Sequence, residues 1–474
     1  MSTFHLTFRR LGAALLLALS LITTQAATKK PNVIFLFADD MRADSIGALG
    51  NPAIKTPHLD SLVKRGFALN NAYCLGGNRG AVCLPSRNML LSGNTYFRWQ
   101  DTQTSGAGQK GNFAPATADT FPAVMQAAGY TTYHQGKRGN SATLIQAQFE
   151  INKYLVNDQA DRTNGEAGQQ IVDEAIEFIT AQKDAKPFFM YLAFSNPHDP
   201  RVAAEKYLKL YDREKIPLPK NYLPVHPFNN GEMTVRDETL SPWPRTEDEI
   251  RKTLHEYYAV ISGMDHHIGR LLQKLDELKL TENTIVLFSA DQGISVGSHG
   301  LLGKQNLYDH GMKVPLFFAG PGVKKGKSDA LVYLLDVFPS VCELAGVKPP
   351  GGLDAVSFAP VLQGKTDKGR DSLFLAYRDV QRAIRDDRWK LIQYPQVDVT
   401  QLFDLKNDPD ELKNLAGEAG QKERVAKMLA QMTDWQKKLN DAAPLKVANP
   451  ASPKWTPPSA EEMKAGKNSK KKRQ

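Results

Sequence analysis

The sequence predicts an α/β protein with a large, mostly parallel central sheet and a small C-terminal α+β subdomain that contains an antiparallel sheet. Two observations support this prediction. Through the first 320 residues, short apolar runs end abruptly in polar residues, and helical patterns lie between them. Continuous apolar runs are typical of strands buried on both faces, as in a parallel sheet covered by helices. After about residue 365, shorter runs joined by polar turns are typical of an antiparallel sheet.

Five apolar runs are the predicted strands of the central sheet. They cover residues 33–37, 130–133, 188–194, 284–288 and 315–318. The run at 33–37 leads to Asp39-Asp40, and the run at 130–133 leads to His134 and Lys137. The run at 188–194 leads to Asn196-Pro197-His198, and the run at 284–288 leads to Asp291-Gln292. Because ligands bind outside the carboxyl ends of parallel strands, we expect these polar side chains to gather at one edge of the sheet.

Helical spacing predicts the segments that cover the sheet. The predicted helices are 57–66, 117–128, 165–183, 330–345 and, most clearly, 246–280. In the last of these, Thr246 and Glu249 form a capping box, and apolar residues then recur at helical spacing. The C-terminal subdomain is predicted to contain strands at 371–377, 381–385, 389–394 and 402–405, followed by a helix at 422–439.

Changes in composition divide the chain into four predicted segments. They are a signal peptide at 1–26, a main catalytic domain at 27–365, a C-terminal subdomain at 366–443 and a flexible Pro- and Lys-rich tail at 444–474. Arg9 and Arg10 precede an apolar run too short for a stable membrane anchor, and Thr24-Gln25-Ala26 forms a cleavage site. We therefore expect export to the periplasm or the exterior, with no integral membrane span in the mature chain.

The charge of the chain is concentrated at its two ends. The 474 residues carry a formal net charge of +9, but residues 1–26 contribute +2 and residues 440–474 contribute +5 through eight basic and three acidic residues. The remaining body carries only +2. A basic surface that follows nucleic-acid phosphates is therefore not predicted, and nucleic acid is not an expected partner. The sequence leaves the oligomeric state open.

The cysteines indicate a functional thiol rather than a disulfide framework. There are three, Cys74, Cys83 and Cys342, so at least one is left over whatever pairing occurs. A separate candidate site is formed by Asp39, Asp40, Asp291 and Gln292, whose carboxylate and amide oxygens suit a hard cation such as Ca²⁺ or Mg²⁺. These residues are equally compatible with a role in capping helices or turns.

One motif adds a family resemblance to these observations. Cys83-Leu84-Pro85-Ser86-Arg87, followed by Leu90-Leu91-Ser92-Gly93, resembles the signal for cysteine oxidation in the type I, formylglycine-dependent sulfatases. The resemblance continues through Asp39-Asp40, Lys137, Pro197-His198, Asp291-Gln292 and Gly303-Lys304, in the family's order, over about residues 31–410. The chain is thus similar to the arylsulfatase and iduronate-sulfatase group of the alkaline phosphatase superfamily. This resemblance implies an alkaline-phosphatase-like sandwich around the central sheet.

The resemblance also implies a cofactor set and a maturation partner. Cys83 would be oxidised to formylglycine by a formylglycine-generating enzyme, and the hydrated aldehyde would attack sulfur. Asp39, Asp40, Asp291 and Gln292 would hold Ca²⁺ together with an oxygen of residue 83, so that the metal lies beside the nucleophile.

Four further residues receive roles from the resemblance. Arg87 would pair with the diol or with a metal-ligand carboxylate. Lys137, His198 and Lys304 would contact the sulfate oxygens, with His198 or Lys304 as the proton donor to the leaving group. Taken alone, the two lysines are equally compatible with solvated surface positions and His198 with bracing a turn. Arg201 is a candidate for substrate binding or for an internal salt bridge.

The loop after Lys137 departs from the family pattern. Many sulfatases have Trp-His after this lysine, and the histidine orients the formylglycine diol, whereas this chain has Arg138-Gly139. Three residues are candidates for the missing role at Gly139, namely Asn140, His134 and Arg138. Otherwise the second step of the reaction is assisted in a different way.

The function expected from these features is a sulfuric ester hydrolase acting on a sulfated carbohydrate, either an oligosaccharide derived from a polysaccharide or a glycosaminoglycan. One alternative is a phosphatase or phosphodiesterase of the same superfamily, but the strand ends lack the histidines of a two-zinc site. Another is a non-catalytic relative that binds sulfated glycans and keeps Cys83 unmodified. The particular sugar depends on loops at 94–116, 138–164 and 201–245, and the sequence does not predict their shapes.

Overall fold

The computed structural model of the chain describes residues 29–99, 113–182, 186–459 and 461–462. The predicted signal peptide and the Lys-rich end of the predicted tail lie outside the described residues. Within those residues, no helix combines the length and the hydrophobicity needed to cross a membrane.

The chain alternates strands and helices over most of its length. The described strands are Asn32–Ala38 (β1), Phe67–Tyr73 (β2), Gly76–Gly77 (β3), Thr131–Gly136 (β4), Ile151–Tyr154 (β5), Phe188–Ala193 (β6), Thr284–Ala290 (β7), Lys313–Val314 (β8), Leu316–Ala319 (β9), Gly326–Tyr333 (β10), Leu373–Tyr377 (β11), Gln381–Arg385 (β12), Trp389–Tyr394 (β13) and Val399–Asp404 (β14). The described α-helices are Pro57–Arg65 (α1), Cys83–Ser92 (α2), Phe121–Ala127 (α3), Thr143–Gln146 (α4), Asp158–Thr163 (α5), Gln169–Ala181 (α6), Glu205–Leu208 (α7), Glu247–Glu277 (α8), Asp309–Met312 (α9), Val337–Leu344 (α10), Ala359–Leu362 (α11) and Lys422–Leu439 (α12).

The large sheet is mostly parallel, as predicted. Its strands follow the order β10-β2-β9-β7-β1-β6-β4-β5, and β8 pairs with β2 at one side. Strands β7, β1, β6, β4 and β5 run in parallel, as do β10 and β2. Only β9 and β8 run against their neighbours in this sheet, within the described residues. The five parallel strands at the centre therefore present their carboxyl ends at one edge.

The second sheet has the order β14-β13-β12-β11-β3. Its four C-terminal strands are antiparallel, which confirms the predicted architecture of this region. Its fifth strand is β3, two glycines from the first quarter of the chain that pair in parallel with β11. The smaller sheet is therefore completed by a segment that lies only a few residues before Cys83.

Burial explains why the central runs form strands. Every residue of β1, β6 and β7 is buried, so these strands bury apolar side chains on both faces. Helix α8 begins with the predicted capping box, in which Thr246 and Glu249 satisfy each other's backbone N–H groups. Its buried side packs against α1 and α6.

The structure differs from the sequence-based prediction in one predicted helix, in five strands and in several short helices. The predicted helix 330–345 is wrong over residues 330–333, which end β10, because Leu331 to Tyr333 pair with β2. Strands β2, β3, β5, β8 and β10 and the short helices α4, α5, α7, α9 and α11 were not predicted. Asn70 and Asn71 interrupt the apolar pattern of β2, and the first half of β10 is largely exposed, so neither run reads as a buried strand.

Candidate active site

Two neighbouring strand ends bring three carboxylates together. Ala38 and Ala290 are paired at the ends of β1 and β7, so the residues that follow, Asp39-Asp40 and Asp291, lie side by side. The Asp291 carboxylate accepts hydrogen bonds from the backbone N–H groups of Asp40, at 3.1 Å, and of Gln292, at 3.0 Å. The convergence predicted from the strand ends is confirmed.

Cys83 begins α2 directly above these carboxylates. Its Sγ lies 3.3 Å from Asp39 Oδ1 and 4.0 Å from Asp40 Oδ1. The Nε2 of Gln292 is 3.0 Å from the same sulfur and 2.5 Å from Asp40 Oδ1. The thiol is only 1% exposed. The first residue of α2 is therefore enclosed by the acidic cluster.

Strands β4 and β6 deliver Lys137 to the same point. Gly136 faces Ala193 across these strands, and a Cβ at residue 136 would stand 2.1 Å from the Ala193 carbonyl oxygen. Only glycine permits this close approach. The Lys137 backbone N–H then donates to that carbonyl at 2.8 Å, and the ammonium group contacts Asp39 Oδ2.

Lys304 and His198 approach from the loops after β7 and β6. The Nζ of Lys304 donates to both oxygens of Asp40, at 2.7 and 2.8 Å, and lies 3.3 Å from Cys83 Sγ. The Nε2 of His198 is 3.7 Å from Asp40 Oδ2, and its Nδ1 is 2.6 Å from the Asp199 carbonyl oxygen. Neither lysine of the cluster is a solvated surface residue, since both are buried.

Arg87 lies one turn along α2 and is completely buried. Its Nε donates to Asp291 Oδ2 at 2.9 Å, and its Nη2 is 3.9 Å from Asp39 Oδ2. The guanidinium also lies over the Phe37 ring, 5.0 Å from the ring centre. Of the two partners implied for Arg87, the structure places a carboxylate of the acidic cluster in contact with it.

The buried charges shift the pKa values of the three carboxylates in different directions. Burial opposes ionisation of Asp39, but Lys137, His198 and other nearby cations outweigh it and hold the pKa well below its ordinary value. Burial raises the pKa of Asp40, with repulsion from Asp39 adding to it against the attraction of Lys304. Burial and the charge of Asp39 raise the pKa of Asp291 to about 6.

The remaining titratable groups of the cluster are also perturbed. Burial, together with the Asp39 carboxylate, raises the pKa of the Cys83 thiol far above its ordinary value. Burial and the neighbouring Lys304 ammonium lower the pKa of His198 to about 3. Perturbed groups gathered around one point are characteristic of active sites.

The acidic cluster fits a cation that prefers oxygen ligands. Ligand atoms of Asp39, Asp40, Cys83 and Asp291 lie within 4.8 Å of one another, and all four residues are buried. The Oε1 of Gln292 is buried and has no hydrogen-bond partner among the described residues. An unpaired buried oxygen is costly unless something occupies its lone pairs. The donor chemistry of these residues therefore agrees with a Ca²⁺- or Mg²⁺-type ion.

Arg201 stands apart from the cluster. Its Nε donates to the Pro197 carbonyl oxygen at 2.9 Å, and its guanidinium lies over the Tyr257 ring at 5.1 Å. These contacts brace the loop that carries His198. No contact links Arg201 to Cys83 or to the three carboxylates in the described residues.

The structure adds two residues that the sequence did not reveal. Arg162, at the end of α5, places its Nη2 3.7 Å from Asp39 Oδ2. Asp237 is buried and acts electrostatically on both Asp40 and Lys304. Both lie in segments without a motif or a periodic pattern, so no sequence signal indicates them.

A second group of possible metal ligands, His299, His310 and Glu411, is structural. The three side chains are buried close together. The Lys390 ammonium lies 2.8 Å from Glu411 Oε1 and 2.8 Å from Asp309 Oδ1. Because this buried lysine already supplies the positive charge, we assign the group to the packing of the second sheet.

A nucleophile position at a helix start, an acidic cluster and buried cations lie together at the carboxyl edge of a parallel sheet. This combination defines a hydrolase of anionic esters with an alkaline-phosphatase-like fold. A family model for sulfatases matches residues 31–347, and a model for the C-terminal region of N-sulphoglucosamine sulphohydrolase matches residues 297–438. The chain therefore belongs to the sulfatase family, and the predicted family and enzyme class are confirmed.

Individual relatives agree with this assignment. The chain is 25% identical to an arylsulfatase of Clostridium perfringens, over 84% of this chain and 92% of that one. It is 26% identical to an N-acetylglucosamine-6-O-sulfatase of Bacteroides thetaiotaomicron, over 91% of each. The solved structure of BT4656 in complex with its substrate D-glucosamine-2-N,6-O-disulfate matches with a TM-score of 0.73 and 23% identity, over 88% of this chain and 99% of that one. The last match bears on the fold alone.

Proposed function

We propose that the chain removes sulfate from a sulfated carbohydrate, using a formylglycine formed from Cys83 and a bound Ca²⁺ ion. The observation that carries this proposal is the position of Cys83. It starts α2 within the Cys-x-Pro-Ser-Arg motif, and its side chain faces Asp39, Gln292 and Lys304. A nucleophile at this point lies between the acidic cluster, which is proposed to hold the cation, and Lys304, which carries protons that it can donate.

The acidic cluster is proposed to hold the Ca²⁺ ion. Asp39, Asp40, Asp291 and Gln292 supply the protein ligands, and the unpaired Oε1 of Gln292 supports this role. When bound, Ca²⁺ supplies positive charge beside the sulfate, and formylglycine supplies a hydrated aldehyde as the nucleophile. Arg87 fixes the Asp291 carboxylate from the opposite side through its Nε hydrogen bond.

Three other side chains are proposed to receive the sulfate group. Lys137 and Lys304 donate to sulfate oxygens, and their ammonium groups lie against Asp39 and Asp40 at the centre of the cluster. His198 is fixed through Nδ1 by the Asp199 carbonyl oxygen, which leaves Nε2 directed at the cluster. His198 or Lys304 then gives a proton to the leaving alcohol oxygen.

A sulfated carbohydrate is the proposed substrate class. The relative named N-acetylglucosamine-6-O-sulfatase supports it by its name and by its match over most of both chains. Arg201 is proposed to contribute to substrate binding by supporting the loop that carries His198. Maturation of Cys83 by a formylglycine-generating enzyme and export through a signal peptide at residues 1–26 belong to the same proposal.

The proposal is tested on protein produced in a host that contains the maturation enzyme. Mass spectrometry of the tryptic peptide 80–87 is expected to find an aldehyde in place of the Cys83 thiol. Sulfate release is then measured over a panel of sulfated mono- and oligosaccharides, with choline sulfate and an aryl sulfate included. The variant Cys83→Ala serves as the matched control and is expected to release no sulfate.

Two results would contradict the proposal. One is an unmodified thiol at residue 83 together with no release of sulfate from any substrate. The other is release from choline sulfate or the aryl sulfate alone, which would remove the carbohydrate assignment while leaving the sulfatase assignment intact.

A further inference from the structure

A cation with no predicted role reaches the edge of the acidic cluster. Arg162 is anchored by two hydrogen bonds, from Nε to the Ser195 carbonyl oxygen at 3.0 Å and from Nη1 to the Asp199 carbonyl oxygen at 3.4 Å. Its Nη2 lies 3.7 Å from Asp39 Oδ2, the oxygen that the Lys137 ammonium also contacts. The Arg162 side chain is 11% exposed, so the guanidinium is held in a largely desolvated position.

The Nη2 group is the part of Arg162 that remains available. Within the described residues it donates no hydrogen bond, and 3.7 Å to Asp39 is beyond hydrogen-bonding distance. Arg162 also acts electrostatically on His198. The guanidinium therefore faces the same space as Lys137 and His198, with its donors on the other side fixed by the backbone.

The helix that carries Arg162 also closes the loop after Lys137. Asp158, the first residue of α5, accepts hydrogen bonds from the backbone N–H groups of Arg138, at 3.1 Å, and Gly139, at 2.8 Å. A Cβ at residue 139 would stand 2.9 Å from Asp158 Oδ2. A larger residue at this position would have to displace that carboxylate. Gly139 is thus part of a loop that is held to α5 rather than directed into the site.

The candidates that the sequence offered for the missing histidine do not reach the acidic cluster. Arg138 and Asn140 are exposed, and Arg138 extends over the Tyr154 ring. His134 is buried within β4, where its Nδ1 lies 2.8 Å from Asn152 Oδ1 and its ring stacks on Tyr191. In the described residues, none of the three contacts Cys83 or its carboxylates.

We infer that Arg162 binds the sulfate group of the substrate through Nη2, in a site where Gly139 stands at the position of the histidine that other members of the family carry two residues after the lysine. This inference rests on the proposed function. A guanidinium suits the task because it stays charged at all working pH values and donates in a planar fork that matches the oxygens of an oxyanion. Helix α5 therefore both holds the loop after Lys137 and supplies a cation to the site.

The test compares Arg162→Ala and Arg162→Lys with a matched arginine elsewhere. Arg370 is the control because it is similarly buried, at 16% side-chain exposure, and also donates to a backbone carbonyl, that of Asp354. Binding of sodium sulfate to the Ca²⁺-loaded proteins is measured by isothermal titration calorimetry. Steady-state hydrolysis of the best substrate is measured on the same preparations.

Arg162→Ala is expected to weaken sulfate binding about 10- to 100-fold, because a hydrogen bond to a charged group is lost. The value of kcat/KM is expected to fall about 10²- to 10³-fold. Arg162→Lys should retain part of the affinity, and Arg370→Ala should bind sulfate as the wild type does even though its melting temperature falls. Added guanidinium should restore activity to Arg162→Ala and not to Arg370→Ala.

Wild-type sulfate affinity in Arg162→Ala, or an equal loss in Arg370→Ala, would overturn the inference. The sulfate titration needs no turnover, so it separates this inference from the proposed function. If the wild type binds sulfate through Arg162 but hydrolyses no sulfate ester, the proposed function fails and the binding role of Arg162 stands.

Discussion

At the scale of single residues, Gln292 is the side chain whose geometry asks most directly for a bound ion. Its amide nitrogen is shared between Asp40 and Cys83, while its Oε1 is buried without a partner. Such an oxygen is stabilised when it ligates a cation. The Gln292 amide therefore has two roles, since its Nε2 holds Asp40 and its Oε1 is available to ligate the metal.

Replacing Gln292 by Leu is expected to abolish most of the stabilisation that Ca²⁺ gives to the protein. A ligand that binds only the folded state raises the free energy of unfolding, by about 2.7 kcal/mol at a hundredfold excess over its dissociation constant. The melting temperature rises with it. Thermal unfolding is followed in EDTA and in excess Ca²⁺. The wild type should show a clear rise, and Gln292→Leu should not.

The control for this measurement is Gln363→Leu, which alters a half-buried glutamine outside the acidic cluster. A Ca²⁺-dependent rise of the same size in Gln292→Leu and in the wild type would contradict the assignment of Gln292 as a ligand.

The residues of the site were predictable where a strand end or a motif marks them. Asp39, Asp291 and Lys137 each follow an apolar run, and the parallel arrangement of those runs forces their ends together. Arg162 was not predictable, because α5 is six residues long and reaches the site only through contacts with Ser195 and Asp199. Contacts between distant loops leave no periodic trace in a sequence.

At the scale of secondary-structure elements, α8 and α1 are joined through a buried carboxylate. Asp265 of α8 accepts hydrogen bonds from the backbone N–H groups of His58, at 3.2 Å, and Leu59, at 2.7 Å, in the first turn of α1. These N–H groups have no partner within their own helix. Burial, together with the charge of Asp60, nevertheless raises the pKa of Asp265 to about 7.

This shift predicts a pH-dependent stability that Asp265→Asn removes. The folded state keeps the Asp265 proton up to about pH 7, whereas the unfolded chain releases it near the ordinary value of 3.8. Stability therefore falls as the pH rises between these two values. Urea unfolding at pH 5 and pH 7.5 should show a smaller loss in Asp265→Asn than in the wild type.

The variant Asp434→Asn, on the exposed side of α12, provides the comparison and should lose stability with pH as the wild type does. An identical pH dependence in Asp265→Asn and the wild type would show that this carboxylate does not carry the effect.

Most of the elements follow from local patterns, and the exceptions share a cause. The continuous apolar runs of β1 and β7 and the helical period of α8 predicted these elements to within a few residues. Strands β2 and β10 were missed because neither has an apolar pattern along its length. They form strands by pairing with each other. Pairing of strands more than 250 residues apart along the chain depends on the whole fold.

At the scale of the whole molecule, a buried lysine links the second sheet to the loops beyond the large sheet. Lys390 of β13 is completely buried and pairs with Asp309 of α9 and with Glu411, both at 2.8 Å. Burial raises the pKa of Glu411 to about 7 even though Lys390 opposes the shift. One cation thus compensates two carboxylates, of which Glu411 is buried and Asp309 is 16% exposed at its side chain.

Lys390→Ala is expected to destabilise the fold by about 3–5 kcal/mol, because it leaves buried carboxylates without their partner. Urea unfolding at pH 8, above the pKa of Glu411, measures the loss. The matched variant Lys368→Ala breaks a surface pair with Asp371 and should change stability by less than about 1 kcal/mol. Equal losses in the two variants would contradict the role assigned to Lys390.

The pairing of β3 with β11 has a consequence for the order of events during biosynthesis. The carbonyl oxygens of Leu75 and Gly77 accept hydrogen bonds from the backbone N–H groups of Ala376, at 3.0 Å, and Arg378, at 2.7 Å. This pairing cannot form until nearly 300 further residues have been translated. In the proposed maturation of Cys83, the modifying enzyme acts during that interval, before β11 pairs with the segment ahead of α2.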